Sequence, residues 1–110
     1  MARRVAALLE SDDQVVLPGI VLQEVLSGIA DASHRQKVLD GIRDSFPLVL
    51  ATEGDHLKAA DLVNLAVREG IALSNPDALI AAQAVNRRAR LFTTDGDFMT
   101  LAAVTPVRLF

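Results

Sequence analysis

Apolar and polar residues along this chain alternate between two spacings. Short β-branched or wholly apolar runs at residues 14–17 (QVVL), 46–51 (FPLVLA), 91–94 (LFTT) and 107–110 (VRLF) have the length and composition of strands. Between them, apolar residues recur every three or four positions, the period of a helix packed on one side. Ile20, Val21, Val25 and Leu26 mark one such helix, opened by Pro18-Gly19 and broken at Gly28. Val38, Leu39 and Ile42 mark a second that runs to the neighbourhood of Asp44. A third begins at Thr52, with Glu53 and Asp55 in its first turn and Gly70 as its stop. Its expected inward stripe is Leu57, Ala60, Leu62, Leu65 and Ala66. Residues 5–9 read as the end of an apolar helix, Ser11-Asp12-Asp13 as a turn, and 98–103 as a short helix.

One segment departs from the amphipathic pattern. In residues 78–85, ALIAAQAV, Gln83 is the only polar side chain, so no face of the helix prefers water and its place is the middle of the fold. Ser74-Asn75-Pro76 is a start signal, Asp77 opens the helix, and the basic Asn86-Arg87-Arg88-Ala89-Arg90 suits its C-terminal end. Strands alternating with helices of this length predict the α/β class: one domain over residues 1–110, with a mostly parallel sheet covered by helices on both faces. Sites in such sheets lie at the carboxyl edge, where Asp95 and Asp97 would fall directly after the strand at 91–94.

Composition narrows the chemistry. The chain has 110 residues and is 51% hydrophobic, enough for a substantial core. Without cysteine, and with only His34 and His56, both read as surface residues, it has no disulfide or thiolate site, so any metal must be held by oxygen. A net charge of -3 argues against bulk attraction to nucleic acid, and the absence of Tyr and Trp argues against a base-stacking platform. No apolar run approaches the roughly 20 residues of a membrane span and no signal peptide is evident, so a cytoplasmic protein is expected. Phosphate-binding glycine loops and nucleophile elbows are also missing from the sequence.

What remains is acidic. Glu24 lies in an apolar helix, Asp77 at the start of a buried one, and Asp95 with Asp97 after a strand. Carboxylates brought together repel one another, and a hard cation such as Mg²⁺ or Mn²⁺ relieves that repulsion while polarising a phosphate and activating water. Taken singly, each acid has a plainer reading: helix caps for Asp77 and Asp95, a salt bridge or solvent for Glu24, solvent for Asp97. Arg87 and Arg88 are candidate contacts to RNA phosphates, or simply a solvated helix end.

Three stretches carry a family resemblance: LPGIVLQEVLSG at 17–28, SNPDALIAA at 74–82 and LFTTDGDF at 91–98. In order and spacing they resemble motifs of PIN domains, and among these the VapC-like toxins of bacterial toxin–antitoxin pairs. The resemblance implies a three-layer PIN-like fold and a Mg²⁺- or Mn²⁺-dependent endoribonuclease. In it Glu24, Asp77 and Asp95 match the catalytic, metal-holding acids, Asp97 matches a further metal ligand, and Ser74 and Thr93 match supporting positions. It also implies an RNA substrate, a cognate antitoxin protein and a homodimer. One departure stands out. Members of the family begin with a strand that forms the centre of the sheet and ends in an Asp, whereas here Met1-Ala2-Arg3-Arg4 leads into the expected helix end. The expectation is therefore a shortened chain with its central strand missing, weakly active or inactive. The alternative is a catalytically dead module that binds a partner or dimerises. A receiver-like phospho-acceptor domain also has an acidic Mg²⁺ site, but it ranks lower because no Lys follows at a suitable late-strand position.

Overall fold

The computed structural model describes residues 7–11, 14–93, 98, 102–103 and 106–109; Asp95 and Asp97 lie outside them, as does half of the helix expected at 98–103. Strands β1 (Leu8–Ser11) and β2 (Gln14–Pro18) lead into helices α1 (Gly19–Ser27) and α2 (Ala32–Ser45). Strand β3 (Leu48–Val49), helices α3 (Glu53–Arg68) and α4 (Asn75–Asn86), and strands β4 (Arg90–Phe92) and β5 (Arg108–Leu109) follow.

The strands form one sheet in the order β3-β2-β1-β4-β5. β2 is parallel to β3 and β4 to β5, while β1 is antiparallel to both of its neighbours, β2 and β4. Four strands thus share one direction, and the sheet is mostly parallel, as expected. Its centre differs from expectation. Leu8 and Leu9, read in the sequence as a helix end, are in strand β1, which fills the middle position in the reversed sense. The physical reason is pairing: a gap between β2 and β4 would strand two rows of backbone N–H and C=O groups, and β1 satisfies both. Leu9 sits opposite Val16 on one side and Leu91 on the other. Leu9 and Leu91 are 0% and 1% exposed.

The route from β2 to β3 through α1 and α2 crosses the sheet in one direction, and the route from β3 to β4 through α3 and α4 crosses back. With right-handed connections the two pairs cover opposite faces. α2 starts at Asp31, whose side chain accepts from the His34 backbone N–H at 2.7 Å. Val38, Leu39 and Ile42 are half-buried, with Ile42 packed against the core, and nothing in α2 is fully buried.

α3 shows how a cap can rotate a helix relative to its apolar pattern. Thr52 and Asp55 form a reciprocal capping box, Thr52 N donating to Asp55 Oδ2 at 2.9 Å and Asp55 N donating to Thr52 Oγ1 at 3.1 Å. Asn86, at the far end of α4, donates to Asp55 Oδ1 at 2.9 Å and to the Gly54 carbonyl at 3.3 Å. These bonds lock the start of α3 to the end of α4 with Asp55 inside, so the buried stripe runs through Asp55, Ala59, Leu62 and Ala66. Leu57, expected inward, is 62% exposed, and Ala60 is exposed as well.

α4 occupies the middle of the fold. Ala78, Ile80, Ala81, Ala82 and Ala84 are fully buried, and these mostly small side chains allow α3 to lie close alongside. Gln83, the only polar residue of the apolar run, donates through Nε2 to the Val49 carbonyl at 3.2 Å and so ties α4 to β3. α3 and α4 end in the same turn. The N–H groups of Ile71 and Gly70 reach back to Ala66 and Val67, and those of Ala89 and Arg88 to Ala84 and Val85. Both turns need a left-handed residue. α3 supplies Gly70 at φ 72°, the stop expected from sequence, and α4 supplies Arg88 at φ 52°. Left-handed backbone at a residue bearing a Cβ costs on the order of 1–2 kcal/mol.

Two expectations test this packing. Leu9→Ala should lower the unfolding free energy by about 2–5 kcal/mol, the cost of a cavity at a fully buried leucine, whereas Leu57→Ala should change it by less than about 0.5 kcal/mol. Urea denaturation reads both, and equal losses would contradict the observed helix register.

Asp55 links the fold to pH. Burial pushes its pKa up, but hydrogen bonds from the Thr52 backbone, the Asn86 amide and the Thr52 hydroxyl, together with the Arg87 charge, outweigh that and leave it below the ordinary carboxyl value. The unfolded chain therefore takes up this proton first as pH falls. The stabilisation is fully present above the ordinary pKa of about 3.9 and is lost as pH drops through the lower folded value. Asp55→Asn should show a shallower acid limb between about pH 4 and 2, measured as unfolding free energy against pH. An unaltered slope would show that Asp55 does not contribute.

Candidate active site

Topology brings the described acids toward one edge. β2 runs directly into α1, so α1 starts at the carboxyl end of β2. At its other end α4 turns through Arg88 into β4, so the first turn of α4 lies near the carboxyl end of β4, the edge where α/β sheets gather their sites. α1 and α4 are in contact, which brings Glu24 and Asp77 onto neighbouring helices.

Asp77 is the third residue of α4 and is 8% exposed. It is not the cap. Ser74 caps the helix, its Oγ accepting from the Asp77 backbone N–H at 3.3 Å, and Pro76 lies within the first turn. The capping reading of Asp77 is thereby replaced: its carboxylate sits in the first turn, where the helix dipole favours negative charge. Glu24 is half-buried on α1, and its Oε1 is screened from solvent. Thr93, half-buried, stands one residue beyond β4. Between α1, α3 and α4 lies a cleft of about 410 Å³ lined by Ile20, His56, Ala59, Asn75, Pro76 and Leu79. Ile20 is one helical turn before Glu24, and Pro76 directly precedes Asp77, although neither acid itself lines the cleft. His56 and Asn75 were not site candidates in the sequence. They are 19 residues apart, and only the packing of α3 on α4 brings them to one cleft.

Among the described residues, no three carboxylate or histidine side chains come together in a way that could hold a metal ion. Glu24 and Asp77 are the described members of the expected set; Asp95 and Asp97 fall outside the described residues. All of these donors are carboxylate oxygens, the donor type that suits Mg²⁺ or Mn²⁺.

Arg87 and Arg88 are not part of this edge. They lie at the C-terminal end of α4, ten and eleven residues after Asp77, hence about 15 Å away along the helix. Arg87 lines a cleft of about 550 Å³ with Ser11, Gln14, Pro47, Val49 and Asn86 at the opposite edge of the sheet. Arg90 is paired there with Glu10 at 3.2 Å. Because β1 runs against its neighbours, its carboxyl end also points to this opposite edge. Ala7 and Leu8 stand at the middle of the acid edge instead.

Three solved structures share the fold. VapBC-1 from nontypeable Haemophilus influenzae is 17% identical with a TM-score of 0.76, and the match covers 93% of this chain and 77% of that one. VapBC2 from Rickettsia felis, bound to a DNA fragment from its promoter, is 20% identical with a TM-score of 0.73, covering 86% and 72%. FitAcB from Neisseria gonorrhoeae is 19% identical with a TM-score of 0.69, covering 86% and 73%. No curated protein matches the sequence. The family profile described as PIN domain matches residues 1–104. A match over nearly the whole length, on a three-layer fold with a mostly parallel five-stranded sheet, shows that the chain belongs to the PIN domain family.

Proposed function

We propose that this chain is the ribonuclease component of a toxin–antitoxin pair, a divalent-metal-dependent endoribonuclease acting in the cytoplasm. The observation that carries the reading is Asp77, a carboxylate 8% exposed in the first turn of the central helix, on a helix in contact with the one that bears Glu24. An all-oxygen set of carboxylates is the donor type that suits a hard cation. Glu24, Asp77 and Asp95 would hold Mg²⁺ or Mn²⁺, with Asp97 as a further ligand and Ser74 and Thr93 as supporting groups. When bound, the ion would polarise the scissile phosphodiester and activate water. The chain's own contributions are the Ser74 cap, which fixes the first turn of α4 and with it Asp77, and the cleft beside His56 and Asn75, which has room for a nucleotide.

An antitoxin protein and a second copy of the chain are the proposed partners. The antitoxin is supported by the structural neighbours, which are VapBC and FitAB complexes. A second reading has its own observation. With β1 reversed, Ala7 and Leu8 occupy the middle of the acid edge, which supports a catalytically dead module that keeps only the partner-binding role.

Metal and partner separate the two. Under the nuclease reading, millimolar Mn²⁺ should stabilise the folded chain by mass action. A concentration tenfold above the dissociation constant adds about 1.4 kcal/mol, or roughly 4–8 °C in melting temperature. Asp77→Asn should remove most of that response and abolish divalent-dependent cleavage of single-stranded RNA. A wild-type melting curve indifferent to Mn²⁺ would sink the nuclease reading and leave the binding module. Both readings expect a dimer at micromolar concentration, so light scattering that reports a monomer would remove the homodimer from either.

A further inference from the structure

α3 and α4 end in the same hydrogen-bonded turn, but α3 places Gly70 at the left-handed position and α4 places Arg88 there, at φ 52°. Glycine is the residue this turn favours, and an arginine held in its place carries local strain. Strain of this kind directs attention to the side chain. Arg88 and Arg108 line one cavity of about 340 Å³ with Ala84, Val85, Ala89 and Pro106. Arg108 donates from Nη2 to the Arg88 carbonyl, so the strained residue fixes the second arginine through its backbone while presenting its own side chain to the same space. Both residues are exposed, and among the described residues neither is paired with a carboxylate. Arg87 adjoins them on the neighbouring cleft. In a chain of net charge -3, this is a local concentration of positive charge at the edge opposite the acids.

We propose that Arg88 and Arg108 form a phosphate-binding exosite that holds the backbone of an RNA strand away from the acid edge. The inference rests on the nuclease reading for its choice of RNA. Two guanidinium groups facing one pocket suit phosphate oxygens, which they can engage through paired N–H donors. Eleven residues of α4 separate Arg88 from Asp77, about 16 Å, so one strand must cover several nucleotides to reach both. At about 3.4 Å per stacked nucleotide, a trinucleotide is too short and a strand of about twelve is ample.

The plainer explanation is that the arginines complement the negative end of the α4 dipole. It makes the opposite forecast for stability. If Arg88 serves the helix, Arg88→Gly lowers the melting temperature; if it serves a ligand, the same change holds or raises the melting temperature, because glycine relieves the left-handed strain, and weakens binding. The measurement is fluorescence anisotropy of a labelled oligouridylate of about twelve nucleotides, without divalent metal, at salt concentrations from about 50 to 200 mM. Arg88→Gly and Arg108→Ala should each weaken binding roughly three- to tenfold and reduce the salt slope by about 0.7, the loss of one phosphate contact on a single strand. Arg88→Lys should recover part of the affinity. Unaltered affinity and slope for the long strand in both variants overturn the exosite, as does capture of hexaglutamate by the wild-type chain with no response to the long strand. The nuclease reading fails separately, in the cleavage assay, since this measurement involves no cleavage.

Discussion

A β-sheet tolerates open edges but not an open middle. If β2 and β4 faced a gap, each would expose a row of peptide donors and acceptors to an apolar interior that cannot satisfy them, and the cost rises with every residue of the gap. Residues 8–11 close it. Four residues are enough, because the hairpin with β2 sets the register locally and places Leu9 opposite Val16 and Leu91 in the core. Once that strand is in place, the parallel pairs on either side can form, and the helices have a continuous surface to cover.

The same closure sets the electrostatics of the acid edge. A strand entering the centre in the common direction would deliver its last residues to the edge where Glu24 and Asp77 lie. The reversed strand delivers Ala7 and Leu8 there and sends Ser11 to the far edge. Two apolar residues in the middle of that edge supply no ligand atoms.

What was legible in the sequence was local chemistry. Ser74, Pro76 and the apolar run at 78–85 specified the start and burial of α4, Gly70 specified the stop of α3, and the β-branched residues before Pro18 specified β2. The misses have a common physical origin in contacts distant along the chain. Leu8 and Leu9 are apolar neighbours that fit a helix end or a strand equally well, and pairing with residues 91 and 92, some 80 positions away, decides between them. The stripe of α3 was misplaced because Leu57 is more hydrophobic than Ala59. The Asn86–Asp55 bond turns Ala59 inward, and nothing near Leu57 in the sequence signals that bond. The shared edge for Glu24 and Asp77 followed from the strand-then-helix order alone, whereas the cleft bordered by His56 and Asn75 required the packing of α3 on α4.

α4 joins these features into one polarity. Its first turn carries a buried acid and two exposed arginines follow its last turn, the arrangement the helix dipole favours at both ends, so charge separation along the molecule begins as a stabilising feature of one helix. The dipole explains the sign of the charge at each end but not its form. An exposed lysine in the last turn would serve the C-terminus as well as an arginine in a left-handed residue, and a serine cap already serves the N-terminus without a buried carboxylate beside it. The C-terminal end therefore carries a feature the helix itself does not need, the backbone strain at Arg88.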